Sequence, residues 1–129
     1  MELDDFQKRR DRNLFGDNPD IQGLMLLTKE GLPLYSELTK ETNNNFVAAI
    51  SATIVNISKG AVKEFARGDL KRILIEGVEG IIILSKAGPK YILCTVTKSN
   101  ANLDMVSLSI QQITNKLLAA DFDDKEEGD

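Results

Sequence analysis

The segment NNFVAAISATIVNISKGAVKEF, residues 44–65, combines helical spacing with more apolar side chains than one protein core can cover. On a helical wheel of about 100° per residue, its larger apolar side chains collect in one stripe that is wide enough to cover a β-sheet. We expect this sheet-facing stripe to consist of Phe46, Val47, Ile50, Ile54, Ile57, Ala61 and Phe65.

A second, narrower seam of small or β-branched side chains lies outside that stripe and consists of Ala48, Ser51, Val55 and Val62. Such side chains let another helix approach closely. The residues expected to point at water are Ala52, Asn56, Lys59 and Lys63. Because a monomer would expose the apolar seam, we predict that it pairs with the same helix of a second chain. The alternative is that the seam packs on another helix of the same chain.

Two strand-like runs precede this helix and predict a β-hairpin. Residues 21–28 are apolar, the turn Lys29-Glu30-Gly31 offers a glycine for a positive φ, and residues 32–38 alternate apolar with polar side chains. Pro33 has no N–H to donate to a strand ladder, so the second strand should lie at an edge of the sheet.

Three further runs follow the long helix, at residues 70–76, 80–85 and 91–97, and their short connections predict antiparallel neighbours. The second run contains Ile81-Ile82-Ile83-Leu84, which is apolar without interruption. Such a run predicts that helices cover both faces of the sheet and that the packing there is solid.

A last helix should begin after Asn102, because asparagine is a favoured N-cap residue. Asp104 in its first turn suits the positive end of the helix dipole. The apolar positions recur at intervals of three and four, which predicts a single core-facing stripe made of Leu103, Val106, Ile110, Ile113 and Leu117.

Both ends of the chain are rich in charge. Residues 2–14 are typical of a short helix before a break at Gly16-Asp17-Asn18-Pro19, and residues 121–129 (DFDDKEEGD) carry six acids and one lysine. We therefore expect one domain over residues 1–120 and an acidic, disordered tail over residues 121–129. The alternative for the tail is an acidic docking motif.

Composition argues against several classes of protein. The chain has no histidine, the commonest metal ligand and general base, and Cys94 has no second cysteine to pair with, so we expect no metal or cofactor and treat Cys94 as a small core residue. Without the tail the charge is nearly balanced, so no basic field is available to bind nucleic acid. Neither a signal-like N-terminus nor a run of about 18 apolar residues is present, and we expect a cytoplasmic protein without a membrane span.

The order of these elements resembles the Roadblock/dynein light-chain (Roadblock/LC7) family over about residues 3–120. The resemblance is carried by GLMLLTKEGLPL (residues 23–34), the alanine-rich long helix and KSNANL (residues 98–103). It implies an α+β fold of order αββαβββα, a profilin-like sandwich in which a five-stranded antiparallel sheet has helices on both faces. Asp104 departs from the family pattern, since many members have glycine there, and so does the short, charged first helix.

The resemblance also implies a dimer in which two sheets join edge to edge through the third strand while the long helices pair. The second chain would be another copy of this one or a paralogous Roadblock protein. Carried onto this sequence, the dimer interface consists of Ala48, Ser51, Val55, Val62, Leu70, Arg72, Ile73 and Leu74.

The function that the resemblance implies is that of a non-catalytic regulator or scaffold of a Ras-like small GTPase. One alternative is an adaptor light chain of a motor or other multiprotein complex, and another is a small-molecule sensor, which would need an enclosed pocket between the sheet and a helix. The chain itself lacks the Gly-Lys-Ser/Thr loop of P-loop GTPases. We expect the partner surface to consist of Asn43, Asn44, Ala52, Asn56, Lys59 and Lys63.

The most specific catalytic role that we consider for this chain is to supply an arginine to the active site of a bound GTPase. The candidates are Arg9, Arg10, Arg12, Arg67 and Arg72. We expect these to be solvated surface charges, and any stimulation of hydrolysis to come from repositioning of the partner's own switch residues.

Overall fold

The computed structural model describes residues 18–39 and 41–119. The helix expected over residues 2–14 and the tail expected over residues 121–129 lie outside these ranges. The described elements are β1 (Ile21–Thr28), β2 (Pro33–Glu37), α1 (Asn44–Glu64), β3 (Arg72–Gly77), β4 (Gly80–Ala87), β5 (Tyr91–Lys98) and α2 (Leu103–Leu118).

The five strands form one antiparallel sheet with the order β2-β1-β5-β4-β3. Every strand expected from the sequence is present, although β3 begins later and β4 ends later than expected. β2 is an edge strand, as Pro33 predicted, and β3, β4 and β5 are consecutive antiparallel neighbours. The other edge of the sheet is β3.

The two described helices pack on opposite faces of the sheet, and the described residues form two hydrophobic clusters, one on each face. α2 begins after the N-cap Asn102, whose side chain accepts a hydrogen bond from the Met105 N–H. Its buried residues are Val106, Ile110, Ile113 and Leu117. They pack against Leu24 and Leu93 of the sheet, which confirms the stripe predicted for the last helix.

α1 packs on the other face of the sheet, with the side that the helical wheel predicts to point away from it. Its buried residues are Ala48, Ser51, Ala52 and Val55, which lie against Met25, Leu27, Ile92 and Cys94. By contrast, Phe46, Ile57 and Phe65 are 61%, 68% and 71% exposed. The predicted assignment of the helix faces is therefore wrong for most positions; of the predicted stripe, Val47 and Ile54 are half-buried against this cluster.

The turn between β1 and β2 gives a physical reason for this arrangement. Gly31 has a φ of +99°, and a Cβ atom built on it would lie only 3.3 Å from the Cα of Ala49 and 3.5 Å from the Cβ of Ala52. The turn backbone thus lies directly against α1, and the helix side that meets it has to be small. Ala52 therefore contacts the turn instead of water.

Replacing Ala52 with leucine tests this packing. We expect Ala52→Leu to lower the free energy of unfolding by about 1–3 kcal/mol, because there is no room for three more carbon atoms beside Gly31. Asn56→Leu, one helical turn later on the exposed surface, is the matched control and should be within about 0.5 kcal/mol of wild type. Urea denaturation measures both; equal effects of the two substitutions would contradict the observed helix orientation.

Asp20 ties the start of β1 to the start of α2. Its Oδ2 accepts a hydrogen bond of 2.9 Å from the backbone N–H of Asn102, and its Oδ1 lies 3.0 Å from the Nζ of Lys98. The Asn102 N–H, and after it Lys98, hold the pKa of the Asp20 carboxyl below its ordinary value. A neighbouring hydrogen bond of 3.0 Å, from Asn18 Nδ2 to Ser109 Oγ, joins the same two segments.

This carboxylate should make stability depend on pH in a definite direction. Because its pKa is lower in the folded state, its contribution is present above the unfolded value of about 4 and is lost as the pH falls through the folded value. We expect Asp20→Asn to melt a few degrees below wild type at neutral pH, and the difference to shrink in acid. Thermal denaturation followed by circular dichroism measures this, and a difference that persists unchanged at low pH would contradict it.

Candidate interaction surface

The outer side of α1 carries large apolar side chains that no other described part of the chain covers. Phe46, Ile50, Ile57 and Phe65 form this surface, which we call the apolar face of α1, and even Ile50, its least exposed member, is 40% exposed. Soluble proteins rarely leave a contiguous patch of this kind open to water unless another molecule binds it.

An apolar groove of about 440 Å³ lies beside this face, between α1 and the sheet. Phe46, Ile50 and Ile54 line it from the helix, and Ile75, Ile82 and Val96 line it from the sheet. The prediction of solid packing on both sides of residues 81–84 is wrong on this side, where Ile82 remains 37% exposed. The reason is that α1 makes its main sheet contacts with β1 and β2, which leaves the β3 and β4 half of this face open.

The open half of the sheet ends at β3, which has no neighbouring strand on its outer side among the described residues. Leu74 is 41% exposed on this edge, while Ile73 and Ile75 are half-buried against the α1 side. An edge strand of six residues offers unpaired backbone groups for a further strand. The edge, the groove and the apolar face of α1 therefore form one continuous surface through Ile75.

The residues predicted for a dimer interface fall into two groups. Ala48, Ser51 and Val55 are buried against the sheet of their own chain and have almost no surface left for a partner. The other five lie at or near the surface: Val62, Leu70 and Ile73 are half-buried, and Arg72 and Leu74 are exposed. The structure therefore brings the predicted strand positions together at the β3 edge, but it removes the predicted helix seam from that surface.

The residues predicted for a partner surface are also divided. Ala52 is buried, with 5% of its surface exposed, so its placement at the water-facing side was wrong. Asn43 is the N-cap of α1 and its Oδ1 accepts a hydrogen bond of 3.1 Å from the Phe46 N–H, while Asn44 Oδ1 accepts one of 3.1 Å from Ser36 Oγ. Asn56, Lys59 and Lys63 are exposed on α1, as expected.

Two arginine candidates, Arg67 and Arg72, are exposed, and the other three lie outside the described ranges. Cys94 is 2% exposed, as predicted for a core residue, and burial raises the pKa of its thiol to about 11 despite a hydrogen bond with Ser51. Across residues 18–39 and 41–119, no group of three or more cysteine, aspartate or glutamate side chains is arranged to hold a metal ion.

α1 is also long and apolar enough, by length and composition alone, to cross a membrane, although the sequence predicts no membrane span. Its small-residue side nevertheless packs on the sheet, together with Met25 and Leu27. A helix that crossed a bilayer would have to give up this contact. We therefore interpret its remaining apolar face as a protein-binding surface.

Comparison with known proteins supports the fold and also identifies a protein family that this chain matches. A family model described as the Roadblock/LC7 domain matches residues 9–97, more than half of the chain. An uncharacterised protein of Methanocaldococcus jannaschii, MJ0310, is 26% identical over 99 residues, which are 77% of this chain and 86% of that protein.

Solved structures of the same class superpose on this chain. A Roadblock/LC7 domain from Streptomyces avermitilis gives a TM-score of 0.75 at 16% identity, covering 84% of this chain and 92% of that one. MglB of Myxococcus xanthus gives 0.72 at 18% identity, covering 80% and 85%. Acanthamoeba castellanii profilin II, at 0.58 and 13% identity over 89% and 98%, confirms the profilin-like architecture. The chain belongs to the Roadblock/LC7 family.

Proposed function

We propose that this protein is a dimeric, non-catalytic regulator or scaffold of a Ras-like small GTPase. The observation that carries the proposal is the continuous surface formed by the apolar face of α1, the adjoining groove and the open β3 edge. A second copy would add its β3 strand to this edge and lay its own α1 over the groove. The proposed interface thus uses Phe46, Ile50 and Ile57 in place of the buried seam.

The proposed partner surface lies on the remaining exposed side of the paired helices. Asn56, Lys59 and Lys63 point there, and a two-fold axis would bring both copies of each residue onto one platform. Membership of the Roadblock/LC7 family supports a GTPase as the occupant, because the resemblance associates this family with Ras-like small GTPases. Repeated lysines suit a partner whose contacting surface is acidic.

Dependence on the bound nucleotide separates this proposal from a general adaptor role. Immobilised protein should capture a small GTPase, identified by mass spectrometry, from lysate loaded with either a GTP analogue or GDP, and should favour one of the two states. Capture of the same proteins in both states would instead favour the adaptor light chain of a larger complex.

Charge reversal at the proposed platform tests the site itself. We expect Lys59→Glu combined with Lys63→Glu to leave a folded dimer that binds the GTPase at least about tenfold more weakly, a loss of ~1.4 kcal/mol. Lys116→Glu combined with Gln111→Glu and Gln112→Glu makes the same total change of charge on α2, on the opposite face of the sheet, and should have little effect. Titration calorimetry at low salt measures both, and unchanged affinity of the first variant would place the partner elsewhere.

A small-molecule sensor is the second candidate, and the groove beside α1 is the observation that favours it. A sensor of this fold is expected to have an enclosed pocket, whereas this groove opens to solvent beside Phe46 and Ile82. The two occupants exclude each other: a dimer covers the groove, and a ligand bound there would compete with dimerisation. A ligand that binds in this groove should therefore dissociate the dimer. A ligand that binds the protein and leaves the dimer intact would contradict the hypothesis that this groove is the sensor site.

A further inference from the structure

A second cleft, of about 400 Å³, lies between the C-terminal half of α1, the loop that leads to β3, and the end of β4. Three lysines line it, Lys59 and Lys63 from the helix and Lys86 from the strand, together with a single acid, Asp69. The cleft is separate from the apolar groove beside α1, and its character is opposite, since it carries an excess of positive charge.

The three lysines are not neutralised by their own fold. Within the described part of the chain, none of the three forms a salt bridge, whereas Lys98 pairs with Asp20. Like charges held around one cleft repel each other, and a ligand with several negative charges removes that repulsion. The chemistry of the cleft therefore fits a segment with several carboxylates better than a single carboxylate.

Residues 121–129 of this chain are rich in carboxylates, and α2 ends at the same end of the sheet as the cleft. The Leu118 side chain lies against Gly88, so closely that a Cβ atom added there would be 3.3 Å from Leu118 Cδ2. Gly88 follows β4 directly, and Lys86 is the second residue before it. The chain thus leaves α2 at the same end of the sheet as the lysine cleft, although on the opposite face.

The acidic residues 121–129 are long enough to pass around this end of the sheet. Packed layers lie about 10 Å apart, so the path from the α2 layer to the α1 layer is about 20 Å. An extended chain covers about 3.3–3.6 Å per residue, so six or seven residues beyond Ala119 span that path. The carboxylates of Glu126, Glu127 and Asp129 then come within reach of the cleft.

We propose that the lysine cleft is a binding site for a carboxylate-rich peptide and that its occupant is the acidic segment 121–129 of the same chain. Tethering keeps the segment at a high effective concentration, so that weak individual contacts suffice. Lys59 and Lys63 also belong to the proposed partner platform, so a docked segment would compete with an acidic partner there. That consequence rests on the proposed function, whereas the docking itself does not.

A spin label on the acidic segment tests the docking without any partner protein. Gly128→Cys accepts the label, while Cys94 does not compete for it because it is buried and its thiol has a pKa of about 11. In the ¹⁵N-labelled chain of 129 residues we expect a roughly twofold or greater loss of signal for the amides of residues 59–63, 68–70 and 86, relative to the reduced label. Amides of β2, at the far edge of the sheet, should keep their intensity. Added salt should weaken the effect, because exposed charges are screened.

Two sets of lysine variants and one mixed sample decide the outcome. Replacing Lys59, Lys63 and Lys86 with glutamine should abolish the loss of signal. Replacing Lys29, Lys98 and Lys116, none of which lines the cleft, changes the net charge equally and should preserve it. The proposal is overturned if the cleft amides keep their intensity, or if the two variant sets behave alike. It is also overturned if the loss persists undiminished when labelled and ¹⁵N-enriched chains are separate molecules, since the occupant would then come from another copy.

Discussion

Ile57→Glu is expected to convert the protein into a folded monomer. Ile57 is 68% exposed in the single chain, so a charge there costs the isolated fold little. In the proposed dimer, two isoleucines would lose about 1.5–3 kcal/mol of apolar burial each, and two like charges would meet near the symmetry axis. A total loss of about 4 kcal/mol or more raises the dissociation constant by about a thousandfold or more.

Light scattering after size-exclusion chromatography should give the monomer mass for this variant, with a wild-type circular dichroism spectrum. Asn56→Glu is the matched control, because it introduces the same charge at the preceding residue, outside the apolar face of α1. It should remain a dimer. If both variants remain dimers, the interface does not include the apolar face of α1.

Val55→Glu is expected to have the opposite outcome, namely loss of the folded state. Val55 is 4% exposed and packs with Met25 and Leu27 on the sheet. An unpaired carboxylate buried there costs several kcal/mol, a large part of the 5–15 kcal/mol that typically stabilises a domain. Acidification should recover part of the stability, because the protonated side chain is neutral.

Urea denaturation of Val55→Glu against Val55→Ala separates the charge from the lost packing. We expect the alanine variant to remain folded and the glutamate variant to be largely unfolded at neutral pH. If Val55 instead faced a second chain, as the helical wheel indicated, Val55→Glu would give a well-folded monomer. That result would restore the predicted orientation of the helix.

The contrast between these neighbouring positions shows where sequence reasoning succeeded and where it failed. The sequence predicts the core-facing side of α2 correctly because this helix has only one stripe of apolar side chains. Only one orientation of the helix buries that stripe. On α1 the wheel gives the angles between two apolar stripes but not which of them meets the sheet. Larger side chains were assigned to the chain's own core, although a second molecule can bury them equally well.

A signal for the correct orientation was present in the sequence. Gly31 predicts a tight turn, and Ala48, Ala49 and Ala52 supply the small side chains that such a turn needs when it lies against a helix. Recognising this required knowing that the turn and helix meet, which is a tertiary fact. The same limit applies to Ile82, whose apolar character predicts burial but does not specify which molecule covers it.

The edge positions of β2 and β3 also differ in how far the local sequence predicts them. Pro33 cannot donate to a ladder and so identified β2 as an edge from local chemistry alone. Nothing equally local identifies β3, whose edge position follows from the pairing of β1 with β5. The family resemblance supplied that expectation, and the open edge beside the groove gives it a physical basis.

Sedimentation equilibrium of the wild-type protein at micromolar concentrations tests most directly whether a second chain covers the apolar face of α1. We predict a mass of twice the 14.3 kDa chain. A mass of 14.3 kDa throughout the concentration range would contradict the account, because the largest exposed apolar side chains of the described structure would then have no second chain to bury them.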